Sequence, residues 1–277
     1  MSTSKRTESK WQARIERKIA QCLERIDRMT DPELAETMRY ALSSGGKRIR
    51  PVLMYLAADA FGVPPEAVDA YALGLELIHN YSLVHDDMPE MDNDVERRGK
   101  PTVHAKFGAG KALLCGDALL NYAYETMAEE GGRADLILMI ARAAGIGGMI
   151  GGQSLDVADR LCTEEAIFEM YRKKTGALIS VAVALPAKIA GIAAERVMPI
   201  ADAAGLIFQL VDDCLDFQDG RDIAAGKVTF ATRFGYEAAA AEIRRLDEEM
   251  SRSFSAVSVA EDSDFAVFLK DLTHRII

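Results

Sequence analysis

Leu83 to Pro101 read LVHDDMPEMDNDVERRGKP, and this stretch determines where a long predicted helix ends and what lies at its end. Six carboxylates fall within eleven residues, and three basic residues follow within the next four. Asp86 and Asp87 come at the C-terminal end of the helix, where the helix dipole already places negative charge. Two aspartates there are unfavourable unless a cation compensates them, so the sequence predicts a bound cation.

Pro89 decides the geometry of this acidic cluster. On a continued helix, an acid six residues after Asp86 would be rotated by about 240° and would face away. Pro89 ends the helix instead, and we expect the loop to carry Asp92 back towards Asp86. A cluster of carboxylate oxygens suits Mg²⁺, which takes one or two carboxylates and completes its shell with water and substrate phosphates.

A second acidic group lies in FQLVDDCLDFQDG, residues 208 to 220, where Asp212, Asp213 and Asp216 follow an apolar segment. Asp212 and Asp216 are four residues apart, so they share one face of a helix. Uncompensated carboxylates are costly among apolar neighbours. A solvated helix end explains either cluster alone equally well, but two aspartate pairs, each at the end of an apolar helix, favour metal binding.

Residues that cap or end helices recur along the whole chain, whereas strand-type alternation is nearly absent. Apolar residues from Ile15 to Ile26 repeat at helical spacing, and Asp31-Pro32-Glu33 provides a cap, a first-turn proline and an early acid. We expect one all-α domain over residues 1–277, built as a helical bundle. After the first helix, the predicted helices span about 31–43, 51–62, 64–88, 108–129, 134–149, 164–190 and 199–217, with more in the last forty residues.

The bulk composition excludes some classes of protein. A net charge of −10 argues against a general nucleic-acid binder, and 49 % hydrophobic residues are ample for a buried core. The N-terminus is charged, and the apolar run from Leu178 to Ala194 is interrupted by Pro186 and Lys188, so we expect neither a signal peptide nor a membrane span. The cysteines form no CxxC pair, which suits packing thiols in the cytoplasm. They are Cys22, Cys115, Cys162 and Cys214.

Basic residues accompany the acidic clusters. Lys47, Arg48 and Arg50 follow a Gly-Gly turn in SSGGKRIRP, where backbone N–H groups and cationic side chains suit a phosphate. Each basic group alone is typical of a solvated surface, and His79 alone is typical of a structural histidine. Together they predict anionic groups held by metal and by direct cationic contacts. The other motifs are RRGKP (97–101), YRKKTG (171–176), AAGKVT (224–229) and GGQSLD (151–156), which ends in the polar pair Gln153 and Asp156.

These motifs, in this order, resemble those of the polyprenyl diphosphate synthases, the trans-prenyltransferase family, across nearly the whole chain. The form DDMPEMD has two residues more than DDxxD and is similar to that of bacterial farnesyl and many geranylgeranyl diphosphate synthases. The resemblance implies an all-α bundle whose central cavity is lined by both aspartate motifs, in a homodimer. It rests on GGKRIRP, HNYSLVHDDMPEMDND, RRGKP, GGQSLD, YRKKTG and FQLVDDCLD.

The resemblance also implies roles for individual residues. Carboxylates would bind about three Mg²⁺ ions per site, with Mn²⁺ as an alternative. Two basic sets would bind the substrates, isopentenyl diphosphate and an allylic diphosphate. The principal metal ligands would be Asp86, Asp92 and Asp212, supported by Asp87, Asp213 and Asp216; Lys47, Arg50, His79 and Arg98 would hold isopentenyl diphosphate, Arg97, Lys174 and Lys227 would contact the allylic diphosphate, and Thr175 and Gln209 would flank the reactive carbons.

The implied reaction is a 1′-4 condensation of isopentenyl diphosphate with dimethylallyl or geranyl diphosphate. Metal and lysine would stabilise the leaving pyrophosphate, and the allylic cation would be attacked by the double bond of isopentenyl diphosphate. Tyr81 lies five residues before Asp86, about 7.5 Å deeper along the helix axis. In this family a bulky residue there stops growth at C15, so Tyr81 favours farnesyl diphosphate. Geranylgeranyl diphosphate is the alternative product, and a core tyrosine that points elsewhere is the alternative interpretation of Tyr81.

One segment departs from the family pattern. Asp216 reaches Gly226-Lys227 through only FQDGRDIAA, so one diphosphate-binding lysine has no counterpart unless Arg221 replaces it. This shortening alone supports a further alternative, a weakly active homologue that binds prenyl diphosphates as a partner subunit. A class I terpene cyclase shares the first motif, but it carries an Asn/Ser/Glu second motif where this chain has DDCLD. An HD-type phosphohydrolase needs more metal-binding histidines than the chain has: only His79, His104 and His274 remain beside His85.

Overall fold

The computed structural model describes residues 3–158, 163–220, 223 and 226–273. Its regular structure is helical apart from one small hairpin, which confirms the all-α fold class. The elements are α1 (Thr3–Met29), α2 (Pro32–Leu42), α3 (Ile49–Ala60), α4 (Asp69–Asp86), β1 (Glu96–Arg97), β2 (Lys100–Pro101), α5 (Val103–Phe107), α6 (Ala109–Thr126), α7 (Ala134–Ala144), α8 (Met149–Val157), α9 (Glu164–Tyr171), α10 (Ala177–Ile189), α11 (Ala194–Gln218), α12 (Phe230–Phe234), α13 (Tyr236–Ser253) and α14 (Asp264–Thr273).

The described chain divides into two compact units. The N-terminal unit comprises Arg6–Tyr55 and Pro65–Ile137. The C-terminal unit comprises Leu138–Ile277 together with Leu56–Pro64 and Met1–Lys5. The single-domain organisation over residues 1–277 stays a prediction.

The N-terminal unit is organised around α4, whose side chains are buried along most of its length and which packs against α6. The predicted cap of α2 forms: the Asp31 carboxylate accepts from the backbone N–H of Glu33 at 3.0 Å and of Leu34 at 3.1 Å. Arg14 on α1 donates to Asp69 at 2.7 Å and so ties α1 to the start of α4. A long, mostly apolar helix thus carries its acidic C-terminal end at a fixed place in the unit.

The C-terminal unit is organised around α11, which packs against α10 and α13. This helix begins at Ala194, five residues before the predicted start at Pro199, so Pro199 lies inside it. A π turn, Arg172–Gly176, joins α9 to α10 inside the segment predicted as one helix, 164–190. The acidic motif of residues 212–216 therefore lies on a central, largely buried helix.

Two other predicted boundaries differ from the structure. The helix predicted over 134–149 ends at Ala144, and a new helix begins at Met149 after a turn at residues 145–148. Gly148 in that turn adopts φ −127° and ψ −127°, which the absence of a Cβ permits. Pro65 opens a short 3₁₀ turn, Pro65–Ala67, and α4 itself starts at Asp69.

Among the described residues, one stretch, Ala134–Val157, is long and apolar enough to cross a membrane by length and composition, with a mean hydropathy of 1.5. Only 28 % of its most apolar window is buried. A single such stretch is weak evidence for a span, and this one is broken by the turn between α7 and α8.

The cysteines that the structure describes are buried free thiols, in agreement with a packing role. Burial raises the pKa of Cys22 and of Cys115 to about 12, and that of Cys214 to about 11. Such thiols are poor nucleophiles at neutral pH. Cys162 lies outside the described residues.

Candidate active site

The acidic end of α4 has the geometry that Pro89 predicts. The helix ends at Asp86, and the backbone N–H of Asp92 donates to the carbonyl oxygen of Asp86 at 2.9 Å. The turn between them is closed by a bond from the N–H of Met91 to the carbonyl of Met88, also at 2.9 Å. The expectation that the loop returns Asp92 to Asp86 is therefore confirmed. Asp86 is half-buried and Asp92 is exposed, so solvent reaches this acidic end of the helix.

Asp87 differs from these two acids because it is buried, with 3 % exposure. Its carboxylate accepts from the Nε of Arg97 at 2.7 Å. Burial raises the pKa of Asp87 above its ordinary value, although the Arg97 guanidinium opposes the shift. Asp87 and Arg97, predicted to contact metal and diphosphate respectively, form an ion pair in this structure.

The Gly-Gly loop that follows α2 contacts the β1–β2 hairpin. The guanidinium of Arg98, in the hairpin turn, donates to the carbonyl oxygen of Gly45. Gly46 has φ +130°, and a Cβ there would lie 2.6 Å from Nη1 of Arg98. Only glycine fits this close approach without displacing the arginine. The loop and the hairpin therefore form one surface in the N-terminal unit.

His79 lies among the arginines of this surface. Burial lowers the pKa of His79 well below its ordinary value, and the neighbouring guanidinium groups of Arg50, Arg98 and Arg97 lower it further. A neutral imidazole surrounded by cations favours an anionic ligand. The structure thus brings together four residues predicted for diphosphate binding, whereas Lys47 is exposed on the same loop.

Arg48 has a structural position that the motif did not reveal. Its side chain is 2 % exposed and donates to Glu16 and Glu76, each at 2.8 Å. A third donor reaches the carbonyl oxygen of Leu42 at the end of α2, at 2.6 Å. The backbone of Arg48 has φ +50°, a left-handed conformation that non-glycine residues seldom adopt. Arg48 therefore fixes the loop between α2 and α3 to α1 and α4.

Tyr81 is 5 % exposed, and burial raises the pKa of its hydroxyl to about 12. Its ring meets the ring of His85 edge-on, with centroids 5.8 Å apart. His85 lies against Gly116 of α6, where a Cβ would come within 2.0 Å of the imidazole Nε2. Tyr81 is thus held between α4 and its neighbour α6, and its predicted control of product length stays a prediction.

In the C-terminal unit the π turn brings Lys174 close to α8. Gly152, from the GGQSLD motif, has no side chain at a point where a Cβ would lie 2.1 Å from the backbone nitrogen of Lys174. The Lys174 ammonium pairs with Asp156 at 2.5 Å. The glycine-rich stretch therefore allows close packing between α8 and the π turn. Asp156, the polar residue at the end of the GGQSLD motif, positions Lys174, a predicted catalytic residue.

Thr175, Gln209 and Asp213 form a chain of hydrogen bonds. The Thr175 hydroxyl donates to Oε1 of Gln209 at 2.6 Å, and Nε2 of Gln209 donates to Asp213 at 2.9 Å. Gly176 and Gly205 permit this approach, because a Cβ on Gly205 would lie 2.7 Å from the Cα of Gly176. The π turn and α11 are consequently in backbone contact one turn before Gln209.

In the second acidic motif, as in the first, one aspartate is buried and the others are more accessible. Asp213 is 2 % exposed and is bonded to protein side chains, whereas Asp212 and Asp216 are half-buried. Asp213 and Asp216 line a small cavity of about 70 Å³ together with Lys174 and Lys227. Within residues 3–158, 163–220 and 226–273, no three His, Cys, Asp or Glu side chains form a metal-binding group by themselves.

The predicted site residues fall into two sets, one in each unit. The N-terminal set comprises Lys47, Arg50, His79, Tyr81, Asp86, Asp87, Asp92, Arg97 and Arg98, and the C-terminal set comprises Lys174, Thr175, Gln209, Asp212, Asp213, Asp216 and Lys227. Arg221, the candidate replacement for a missing lysine, and His274 lie outside the described residues.

Comparisons with known proteins all indicate the same family. Residues 31–263 match the family model described as polyprenyl synthetase. The farnesyl diphosphate synthase of Escherichia coli (strain K12) is 39 % identical over 266 residues, 88 % of this chain and 88 % of that protein. A geranylgeranyl diphosphate synthase of Cyanophora paradoxa is 36 % identical over 84 % of this chain and 86 % of its own.

Solved structures agree. A crystal structure of a geranyltransferase from Legionella pneumophila is similar with a TM-score of 0.86 and 34 % identity, covering 98 % of this chain and 96 % of that one. The family model and these relatives show that the chain is a prenyltransferase. The chain belongs to the polyprenyl synthetase family.

Proposed function

We propose that this chain catalyses the Mg²⁺-dependent 1′-4 condensation of isopentenyl diphosphate with dimethylallyl or geranyl diphosphate, and that farnesyl diphosphate is the main product. The observation that carries the proposal is the contact between Arg98 and the loop carbonyl of Gly45, beside the acidic end of α4. The contact supports a cationic surface next to the carboxylates proposed here as metal ligands. The allylic substrate loses its diphosphate and isopentenyl diphosphate keeps its own, so the reaction needs a metal-binding site for the first and a cationic site for the second.

Isopentenyl diphosphate would bind at the cationic surface of Arg50, His79 and Arg98, with Lys47 closing over it from the exposed loop. Its diphosphate is not a leaving group in this reaction, so direct contacts with arginine and lysine are sufficient. The neutral His79 would donate one hydrogen bond to a phosphate oxygen. Arg98 would retain its bond to the Gly45 carbonyl through one nitrogen and bind phosphate through another.

The donor set of both acidic motifs fits Mg²⁺. All six predicted ligands are carboxylates, the hard oxygen donors that this ion prefers. Water and substrate phosphate would supply the remaining oxygens. When bound, about three Mg²⁺ ions, or Mn²⁺ as an alternative, would neutralise the allylic diphosphate and help it to leave. The half-buried Asp86, Asp212 and Asp216 are accessible for this purpose.

The basic residues near the allylic diphosphate would stabilise the charge that develops as its C–O bond breaks. Lys174, Lys227 and Arg97 are the residues proposed for this role. Donors aimed at developing charge commonly make the largest single contribution to catalysis. Lys174 is held for it by Asp156, and Lys227 lines the same cavity as Lys174.

Oxygen atoms of the π turn and of Gln209 would stabilise the allylic cation that remains. The Thr175 hydroxyl is fixed by its 2.6 Å bond to Gln209, so its lone pairs are held in place. Exclusion of water would protect the cation until the double bond of isopentenyl diphosphate attacks it. The proton then lost from the condensed product would pass to the released pyrophosphate.

Product length would be set by the buried ring of Tyr81. The relatives include both farnesyl and geranylgeranyl diphosphate synthases, so C20 remains the alternative product. The bulky side chain, fixed between α4 and α6 through His85, favours C15. A weakly active homologue that acts as a partner subunit is the remaining alternative, and the short segment after Asp216 is its support.

We also propose that the protein is a homodimer in the cytoplasm. Both units expose large apolar side chains that a second copy would cover: Leu114 on α6 is 60 % exposed, and Ile146 after α7 is 91 % exposed. Contiguous apolar patches commonly mark protein interfaces, whereas single exposed side chains are normal. The buried free thiols suit a reducing compartment.

One assay separates these functions. The purified chain is incubated with geranyl diphosphate, labelled isopentenyl diphosphate and Mg²⁺, and the dephosphorylated products are separated by length. Labelled farnesol supports the proposal, and labelled geranylgeraniol supports the longer product. Cyclic hydrocarbon from geranyl diphosphate alone indicates a cyclase, and binding without condensed product indicates the partner subunit; either result overturns the proposal.

A further inference from the structure

The hydroxyl of Tyr171 connects the second acidic motif to the segment that carries Lys227. It accepts a hydrogen bond from the backbone N–H of Phe230 at 2.7 Å, and it donates to the carboxylate of Asp213. A phenol has one proton to give and lone pairs to receive, so the two bonds use opposite capacities of the same oxygen. Tyr171 is 1 % exposed, which holds both bonds away from water.

Phe230 is the first residue of α12, and its backbone position fixes the three residues before it. Thr229 caps α12 through a reciprocal pair of bonds with Thr232. The Thr232 hydroxyl also donates to the carbonyl oxygen of Lys227 at 2.9 Å. The bond at the Phe230 amide therefore helps to fix the position of Lys227 through the capped start of α12.

The other end of the connection is already part of the candidate site. Asp213 accepts from Gln209, which in turn accepts from Thr175. The hydrogen bonds thus run without interruption from Thr175 in the π turn, through α11, to the start of α12. Tyr171, Asp213, Asp216 and Lys227 all line the same cavity.

We propose that Tyr171 is a positioning residue for the allylic diphosphate: its hydroxyl holds Lys227 at a fixed distance from the aspartates of α11. The inference rests on the proposed function, since it assumes that Lys227 and these aspartates act on one diphosphate. The segment between Asp216 and Lys227 is short, and a bond at Phe230 gives it a fixed end. The proton of the Tyr171 hydroxyl is already donated to Asp213, so its proposed contribution is geometric.

A purely structural role is the competing explanation, because Tyr171 also packs with aromatic neighbours. The Phe168 and Phe230 rings lie 5.1 Å apart, and Phe168 meets Tyr171 edge-on at 6.4 Å. The chain contains a matched control for this explanation. Tyr55, in the N-terminal unit, is fully buried and donates to Asp69 at 2.7 Å, so it has the same kind of tyrosine–aspartate bond away from the candidate site.

The test compares Tyr171→Phe with Tyr55→Phe. Both variants lose one buried hydroxyl, and we expect both to lower the melting temperature by a similar amount. Only Tyr171→Phe should weaken binding of the allylic substrate. KM for geranyl diphosphate should rise about tenfold, and KM for isopentenyl diphosphate should stay within about twofold of the wild-type value. Calorimetric binding of the unreactive thio-analogue of geranyl diphosphate in Mg²⁺ should weaken by the same factor.

Hydrogen–deuterium exchange provides a readout that does not depend on activity. In the wild type and in Tyr55→Phe the Phe230 amide should be protected, and in Tyr171→Phe it should exchange faster. Equal analogue binding by Tyr171→Phe and wild type, or an equal rise in KM for both substrates, overturns the inference. A wild type that makes no condensed product at all overturns the proposed function instead, so the two failures are distinct.

Discussion

The backbone N–H of Asp92 donates to the carbonyl oxygen of Asp86, with 2.9 Å between nitrogen and oxygen. This bond converts a helix end into a loop that returns, so two acids separated by six positions come to the same end of α4. Asp87 between them is turned inward to Arg97. Of the three aspartates in DDMPEMD, Asp86 and Asp92 are therefore accessible, and Asp87 is kept as an internal anchor.

Two adjacent lysines allow a sharp test of catalysis. Lys174 is held by Asp156, whereas Lys173 pairs with Glu169 on the surface at 2.7 Å. Because Lys174 would stabilise the departing pyrophosphate, Lys174→Gln should lower kcat about a hundredfold. Lys173→Gln should leave kcat within about twofold, since exposed ion pairs contribute little. Steady-state kinetics with geranyl diphosphate measure both variants, and similar losses in the two would contradict a catalytic role for Lys174.

Product length should respond to the side chain at Tyr81. Tyr81→Ala removes the bulk that closes the space beside α4, so the product should shift from C15 towards C20 and longer chains. Tyr122→Ala is the matched control: it is another buried tyrosine of the N-terminal unit, and it lines a separate cavity with Ile26 and Met38. Its product should remain C15. Chromatography of the dephosphorylated products measures their chain length. An unchanged product length in Tyr81→Ala rejects the assignment of Tyr81 as the residue that limits chain growth.

The buried ion pair of Arg48 and Glu76 should be important for stability. Arg48→Met leaves the Glu76 carboxylate buried without its cation, which should cost about 3–5 kcal/mol in the free energy of unfolding. Arg14→Met should cost less, because Asp69 keeps a second cation, Lys18, at 3.1 Å. Denaturant unfolding measures both. The double variant Arg48→Met/Glu76→Leu should recover much of the loss, and a failure to recover would mean that the charge of Glu76 is not the cause.

The depressed pKa of His79 predicts a pH dependence of stability. Since the folded protein holds this imidazole neutral, the unfolded chain takes up the proton first, below about pH 6.5. Stability should therefore be unaffected by His79 at about pH 7.5 and should fall as the pH decreases through 6. His79→Asn should reduce that fall. Urea unfolding at several pH values checks this, and an identical slope in wild type and His79→Asn counts against the proposed environment.

Much of the fold follows from local signals in the sequence. Asp31, Pro32 and Pro89 set helix ends through capping and through the missing proline N–H, and these effects act within a few residues. The same kind of signal fails at Pro199, which lies inside α11, because tertiary context can override the local preference of a residue. Helix boundaries that depend on tertiary contacts cannot be predicted from the local spacing of residues.

The site shows the same limit. The motifs identify the acids and bases, but Arg48 resembles one more phosphate-binding residue in the sequence, and only the fold reveals that its buried side chain donates to three acceptors. At the π turn, 172–176, the Thr175-Gly176 pair is compatible with a kink in the helix, but the sequence does not show the close approach of Gly176 to Gly205, 29 positions later. Tyr171 opens the YRKKTG motif, but the motif does not reveal its role, because its two partners, Asp213 and Phe230, come from distant parts of the sequence.

The claim that both acidic motifs act on one allylic diphosphate is tested most directly by calorimetric titration with the unreactive thio-analogue of geranyl diphosphate in Mg²⁺. The account predicts one analogue per chain, with binding weakened severely and to a similar extent by Asp86→Asn and by Asp212→Asn. Binding that depends on Asp86 and is indifferent to Asp212, or the reverse, would contradict it.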